Sequence, residues 1–294
     1  MKQKARTEPV KSLTVQAPAK INLFLKICSQ RDDGYHNIET VFQKISLFDE
    51  ITLAPTPGPG ISITTDDSSI PQDNTNLAYR AAELLLRHLN INPGLSIHIK
   101  KNIPSGAGLG GGSSDAAGTL LGLVELLNLR VPSRTLRDLA KNLGADVPFF
   151  LYDFSTAYAT GIGEIITEMN MNVRPWLLII CPELFISTAW AYKALKKYNV
   201  LTKSKLNIKI NEFIATYEGL GRQLYNDFEH VVYPEYPQIK KIKEEIQLTD
   251  PVGALLSGSG AALYGLYKTR RDAETAQASI ANSQQCRTHI AGCI

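Results

Sequence analysis

The apolar positions of this 294-residue chain change period several times along its length, and each period predicts an element. Leu13 to Gln16, Ile21 to Ile27, Thr40 to Phe48 and Ile51 to Leu53 read as strands, with the run APTPGPG at 54 to 60 as a turn-rich loop. From Asn76 to Leu89 the apolar residues return at helical spacing, whereas Leu95-Ser96-Ile97-His98-Ile99 alternates as a half-buried strand does. Ala116, Ala117, Leu120, Leu121, Val124 and Leu127 fall three and four apart, which predicts a long amphipathic helix capped by Ser113 or Ser114. A second helix is predicted from Ser133 to Asn142, capped by Ser133 after Pro132. Further on, the pattern predicts a buried strand from Leu177 to Cys181, helices at Thr188 to Lys197 and Tyr236 to Ile246, and a strand from Ala261 to Tyr267. A helix from Arg271 to Ala281 and a short terminal strand complete it.

This is an α+β chain with no internal repeat and no low-complexity block. Its length suffices for two domains. The polar, proline-ended stretch from Asn170 to Pro175 is the candidate boundary, giving domains 1–170 and 171–294 with a ligand site expected between them.

Composition narrows the function classes. An apolar fraction of 44% with 20% charged residues describes an ordinary globular protein, and no run of 18 apolar residues exists to cross a membrane. The start, MKQKARTEPVKSL, has no apolar core and no small-residue cleavage site, and reads as a frayed tail. A net charge of +3, with lysine pairs at 100–101, 196–197 and 240–241 read as solvated faces, gives no nucleic-acid footprint. Cys28, Cys181, Cys286 and Cys293 lack metal-ligand spacing, so free thiols in a reducing, cytoplasmic setting are expected. Five scattered histidines without an HExxH motif argue against a zinc hydrolase.

Candidate chemistry concentrates between Ile103 and Leu129, where five glycines occupy the seven positions 106 to 112. Average usage would place about half a glycine there. A mere linker would not be locked between a strand and a helix. Glycine reaches positive φ and lets successive N–H groups approach an anion, and the following helix aims its positive end at the same place, so the segment reads as a phosphate-holding loop. GAGLGG satisfies GxGxxG at 106 to 111, but the acidic residue a dinucleotide fold requires about 20 residues on is replaced by Glu125, inside the helix. The Walker lysine is missing too, since the glycines lead into Ser113, Ser114 and Asp115.

Four other segments could carry chemistry. Lys20 and Asn22 are two apart on an apolar strand and so share one face, either for solubility or for function. Asp146 is the one carboxylate in the apolar run LGADVPFF, either a helix cap or a catalytic group with a cation nearby. The small-residue run around Gly258, Ser259 and Gly260 is either a tight turn or a second ligand-gripping loop. Arg31-Asp32-Asp33-Gly34-Tyr35-His36 is a turn ending in an aromatic and an imidazole, either a plain hairpin or a base-stacking platform.

Together, PAKINLFL, RDDGYHNIETVFQ, IPSGAGLGGGSSDAA, LGADVPFFL and LSGSGAALYGLY resemble, in order and place, the GHMP kinases, over residues 17 to 267. The glycine block marks the superfamily. The RDDGYH and LGADVP blocks mark the member whose acceptor alcohol is linked to cytidine diphosphate in isoprenoid-precursor synthesis. The resemblance implies a two-domain GHMP kinase fold, with an N-terminal domain like ribosomal protein S5 domain 2 and a ferredoxin-like C-terminal domain. ATP and a small-molecule acceptor would meet between the two, in a monomer or weak homodimer.

Residue by residue, the resemblance implies Asp146 as base toward the acceptor hydroxyl and Lys20 as its cationic neighbour. Pro104, Gly106, Gly108, Leu109, Gly110, Gly111 and Gly112, with Ser113 and Ser114, would hold the triphosphate of ATP, and Asn76 and Lys101 match positions near the adenosine. Tyr35 and His36 would recognise the cytosine with Tyr192 on its other face. Asn22, Gly258, Ser259 and Gly260 would contact the acceptor. Magnesium is implied as a cofactor, with its protein ligands unassigned.

Overall fold

The computed structural model describes residues 12–198, 200, 215–280 and 286–294. Most of the expected N-terminal tail, and Ala281 at the end of the last predicted helix, lie outside the described residues. Two compact units are interleaved along the chain. The first comprises Met1–Ala17, Phe48–Asn102 and Gly112–Leu151, the second Pro18–Leu47, Ile103–Gly111 and Tyr152–Ile294.

In place of the four short strands predicted at the start, two long ones form, β1 (Leu13–Gln30) and β2 (His36–Thr56), each contributing residues to both units. The breaks expected at 17–20 and 49–50 do not occur, because these residues stay extended within the strands, with Lys20 and Asp49 buried there.

In the first unit the end of β2 pairs antiparallel with β4 (Gly94–Lys100), and β4 pairs parallel with β3 (Gly60–Thr65), a strand the pattern did not predict. Helix α1 (Leu77–His88) follows, with the Asn76 side chain accepting from Ala78 N as its N-cap. Helix α2 (Gly111–Leu126) starts two residues before the predicted serine caps, so Ser113 and Ser114 lie within its first turns. It packs closely on β1 and β2 because Gly118 and Gly122 face them. A Cβ on either would come within 2.8 Å of Ile51 or 2.6 Å of Leu53. Leu121, expected in the core, is instead 41% exposed. Helix α3 (Ser133–Lys141) has Pro132 at the capping position, and the predicted Ser133 cap is the first helical residue. A short 3-10 helix (Val147–Leu151) closes the unit.

The second unit contains β5 (Thr156–Thr160), which pairs with β2, and β6 (Ile165–Glu168), which pairs with β5; neither was predicted. A separate antiparallel sheet follows. After β7 (Trp176–Pro182) come α4 (Thr188–Lys197), α5 (Tyr217–Gln223), β8 (Tyr225–Asn226), α6 (Glu229–Glu235) and α7 (Pro237–Gln247). Then come β9 (Gly253–Leu256), β10 (Leu263–Tyr267), α8 (Arg270–Ile280) and β11 (Cys286–Gly292). The sheet order β11-β7-β10-β9 is the 4-1-3-2 arrangement of a ferredoxin-like split βαβ fold.

Strand β7 reads as an unbroken apolar run because both its faces are covered. Leu178 and Ile180 pack with Ile239, Ile242, Ala273 and Ala276 of the helices. Leu177, Ile179 and Cys181 pack with Ala19, Ile21, Leu23, Val41 and Ile45 of β1 and β2. The expected boundary at 170–175 falls inside this unit, where Met169 and Leu177 share one core. All four cysteines are free thiols.

Candidate active site

In the second unit, the glycine segment from Ile103 to Gly111 is pinned by its buried residues Ile103, Ala107 and Leu109. Gly106, Gly108 and Gly110 adopt φ of 67°, 78° and 72°, the left-handed region that glycine enters without strain. Three consecutive carbonyls are engaged by the protein. Ala107 O accepts from Ala262 N at 3.1 Å, Leu109 O from Lys20 N at 2.9 Å, and Gly108 O from Ser257 Oγ at 3.0 Å. The negative ends of these peptides are thus turned into the protein, as an anion-holding loop requires.

The second small-residue segment is an ordered turn. Ser257 N bonds to Ala262 O at 2.9 Å and Gly260 N to Ser257 O at 3.0 Å, with Gly258 and Gly260 at φ 55° and 95°. Asn226, a residue absent from the predicted set, donates through Nδ2 to both Leu256 O and Gly258 O at 2.8 Å. A Cβ at Gly258 would stand 3.3 Å from Gly108 O and 3.6 Å from Asn22 Oδ1. The two glycine turns and Asn22 are therefore in immediate contact. Ser259 Oγ pairs with Thr188 Oγ1 at 2.9 Å.

Lys20 and Asn22 do share a face of β1, and both are buried. Lys20 Nζ donates to Asn22 Oδ1 at 2.7 Å and lies 5.3 Å from the centre of the Phe42 ring. Beyond the end of β1, Tyr35 ends a tight turn in which Arg31 N bonds to Tyr35 O at 2.8 Å, and the residue is 61% exposed. The His36 ring is buried and stacks on Tyr192 at 5.1 Å, and Tyr192 meets Phe228 edge-on at 5.0 Å. Desolvation, aided by the charge of Lys196, lowers the His36 pKa below its usual 6.5, so the ring is neutral at neutral pH.

The first unit holds the remaining predicted residues. Gly112, Ser113 and Ser114 form the start of α2, where unpaired helix N–H groups and the dipole favour an anion. Lys101 is not on a solvated face, contrary to the lysine-pair reading. Its side chain is 4% exposed and ion-paired with Asp49 and, at 2.8 Å, with Asp115. Asp49 also accepts from Asn102 N at 2.7 Å. Burial pushes the Asp115 carboxyl up to about 7; Lys101 offsets part of the shift and the Asp49 charge adds to it. Asn76 is buried, with Oδ1 capping α1 and Nδ2 donating to Pro71 O at 2.8 Å. Asp146 is half-buried in the turn before the 3-10 helix, and its main-chain carbonyl accepts from Phe149 N at 3.3 Å.

Comparison with known proteins matches residues 76–154 to the description "GHMP kinases N terminal domain" and residues 210–284 to "GHMP kinases C terminal". The chain belongs to the GHMP kinase family. It is accordingly a kinase, and its phosphoryl donor is ATP. It is 42% identical over 259 residues to the 4-diphosphocytidyl-2-C-methyl-D-erythritol kinase of Geobacter sulfurreducens, covering 88% of this chain and 91% of that protein. The same enzyme of Geobacter metallireducens is 42% identical over 274 residues, covering 93% and 96%. Among solved structures, a 4-(cytidine 5'-diphospho)-2C-methyl-D-erythritol kinase superposes with a TM-score of 0.81 at 32% identity, covering 95% of this chain and 99% of the other. No helix among the described residues is long and apolar enough to cross a membrane.

Sequence reasoning left out Thr40, Asp49, Ser257 and Asn226. Each is a buried polar residue in or beside a strand. The usable signal was a polar side chain inside an apolar run, which demands a buried partner.

Proposed function

We propose that the chain transfers the γ-phosphoryl group of ATP to the 2-hydroxyl of 4-diphosphocytidyl-2-C-methyl-D-erythritol, a step in non-mevalonate synthesis of isoprenoid precursors in the cytoplasm. The names of its relatives support this reading. The structural observation that carries it is the His36–Tyr192 stack following the turn that exposes Tyr35. The exposed Tyr35 beside that stack can pack on a heteroaromatic base, which mevalonate-type, homoserine and simple sugar acceptors lack.

In the reaction the acceptor oxygen bonds to the γ-phosphorus while the bond to the ADP oxygen breaks, its electron pair leaving with ADP. The hydroxyl proton passes to Asp146. Phosphoryl transfer leaves the protein little covalent work, so its task is to fix positions and neutralise charge. Lys20 supplies a buried ammonium held by Asn22. The loop from Pro104 to Gly112, with Ser113 and Ser114, cradles the triphosphate. Asn76 and Lys101, whose side chains are committed within the first unit, brace the backbone on the adenosine side.

Magnesium fits as an ion arriving with the nucleotide. Among the described residues no cluster of three His, Cys, Asp or Glu side chains forms a cage, whereas Ser114 Oγ and Asp115 Oδ1 are buried oxygens with no hydrogen-bond partner. These atoms would hold it, and bound there it would neutralise charge on the phosphates.

The test is ADP release by the purified protein with ATP and each candidate acceptor, with phosphorus NMR of the product. Acceptor-dependent ADP release and a new phosphomonoester signal only with the cytidine diphosphate ester are expected. Equal or faster turnover of homoserine or mevalonate overturns the assignment.

A further inference from the structure

Thr40 lies on β2 behind the Lys20–Asn22 pair and is fully buried. Its hydroxyl donates to Phe24 O at 2.7 Å, and Asn22 Nδ2 donates to the same hydroxyl oxygen at 2.8 Å. A threonine hydroxyl carries one proton. Because that proton is spent on the Phe24 carbonyl, the oxygen can only accept from Asn22. An amide that gives its nitrogen to Thr40 has its oxygen on the other side, and Asn22 Oδ1 there accepts from Lys20 Nζ at 2.7 Å. The main chain at Asn22 is anchored separately, its carbonyl accepting from Tyr264 OH at 2.7 Å. Reversing the amide would set NH2 against an ammonium at one end and oxygen against a hydroxyl without a free proton at the other.

We infer that Thr40 is a positioning residue for phosphoryl transfer: through Asn22 it fixes which amide atom faces Lys20, and so fixes where the Lys20 ammonium is held. This rests on the kinase reading in which Lys20 serves the transfer. The chain of donors runs in one direction, from Lys20 through Asn22 and Thr40 to the Phe24 carbonyl, so each step has a single consistent proton placement. The same Asn22 oxygen faces the Gly258 turn, so the orientation set at Thr40 also decides which atom Asn22 presents there.

The test compares Thr40→Val, which keeps the shape and loses the hydroxyl, with Thr40→Ser, which keeps the hydroxyl. Misplacement of a reacting group by about an ångström costs up to about 100-fold in rate. Thr40→Val is therefore expected to lower kcat by about 10- to 100-fold with the KM for ATP within about threefold of wild type. Thr40→Ser should restore kcat to within about threefold. A Val variant with kcat within about twofold of wild type, or a Ser variant as impaired as Val, overturns the inference. If the Val variant does not fold, Thr40→Cys takes its place with the same expectations, since sulfur is a weak acceptor.

A second readout does not depend on the acceptor. The side-chain NH2 protons of Asn22, followed by nitrogen-edited NMR, should exchange slowly with solvent in wild type and Thr40→Ser and faster in Thr40→Val. Equal exchange in all three overturns the inference. A wild-type protein that shows this exchange pattern yet turns over no cytidine diphosphate ester removes the assigned substrate while leaving the orientation by Thr40 standing.

Discussion

Ser257 Oγ donates to the Gly108 carbonyl at 3.0 Å, so the second glycine turn holds the first by its backbone. That closeness leaves no room at Gly108. A Cβ there would come within 2.1 Å of Ser257 O, on a residue with φ of 78°. Gly108→Ala is expected to cost about 1 to 3 kcal/mol from backbone strain alone, with the clash added to it. Thermal unfolding and the KM for ATP measure the effect. Gly112→Ala is the control, because its nearest contact would be an ordinary 3.6 Å from Leu77, and its unfolding free energy should move by no more than about 0.5 kcal/mol.

Asp146→Asn keeps the shape of the side chain and removes its basicity. Turnover should fall by about 10²- to 10⁴-fold with much smaller changes in both KM values, measured by steady-state kinetics at saturating ATP. Near-normal turnover removes Asp146 from the base role.

Tyr35→Ala and His36→Ala should raise the KM for the acceptor and leave that for ATP nearly unchanged. Tyr35 is exposed and its loss should cost little stability, whereas His36 is buried against Tyr192 and should also lower the melting temperature. Collapse of ATP affinity in either variant would refute the cytosine assignment. The lowered pKa of His36 fixes a sign as well. Below pH 6.5 the unfolded chain takes up a proton that the folded ring resists, so this group's contribution to stability is present above 6.5 and shrinks as the pH falls. An NMR titration of the His36 ring should give a midpoint under 6.5.

Asp115 carries the opposite dependence. Its carboxyl is raised from 3.8 to about 7, so the folded protein holds a proton that the unfolded chain has released across that interval. Stability from this group is greatest below 3.8 and is lost as the pH rises toward about 7, where it levels off. Asp115→Asn cannot titrate. The melting temperature of wild type relative to this variant should therefore decline between pH 5 and 7 and stay constant above, within the interval set by the carboxyl.

Where the sequence was legible, one physical rule sufficed. Helix α4 spans the predicted Thr188–Lys197, and α1 falls within the predicted Asn76 to Leu89, because amphipathic spacing is a local signal. The glycine loop was legible because glycine takes its positive φ angles without strain. What stayed hidden depended on partners distant in sequence. Lys101 looks like half of a surface lysine pair until Asp49 and Asp115 meet it. Thr40 looks like an ordinary strand residue until Asn22 and Phe24 commit its hydroxyl. The broken strands at the N-terminus misled for the same reason, since buried polar residues interrupt the pattern without interrupting the backbone.

The passage of β1 and β2 through both units limits how the protein can be divided. A fragment cut at residue 170 would keep all of β7, β9 and β10 yet lose Ala19, Ile21, Leu23, Val41 and Ile45 from against Leu177, Ile179, Leu255, Tyr264 and Leu266. One side of its sheet would then be stripped to water, a surface prone to clumping. Severed halves of this polypeptide are thus mutual dependants, and only co-expression could rebuild the whole.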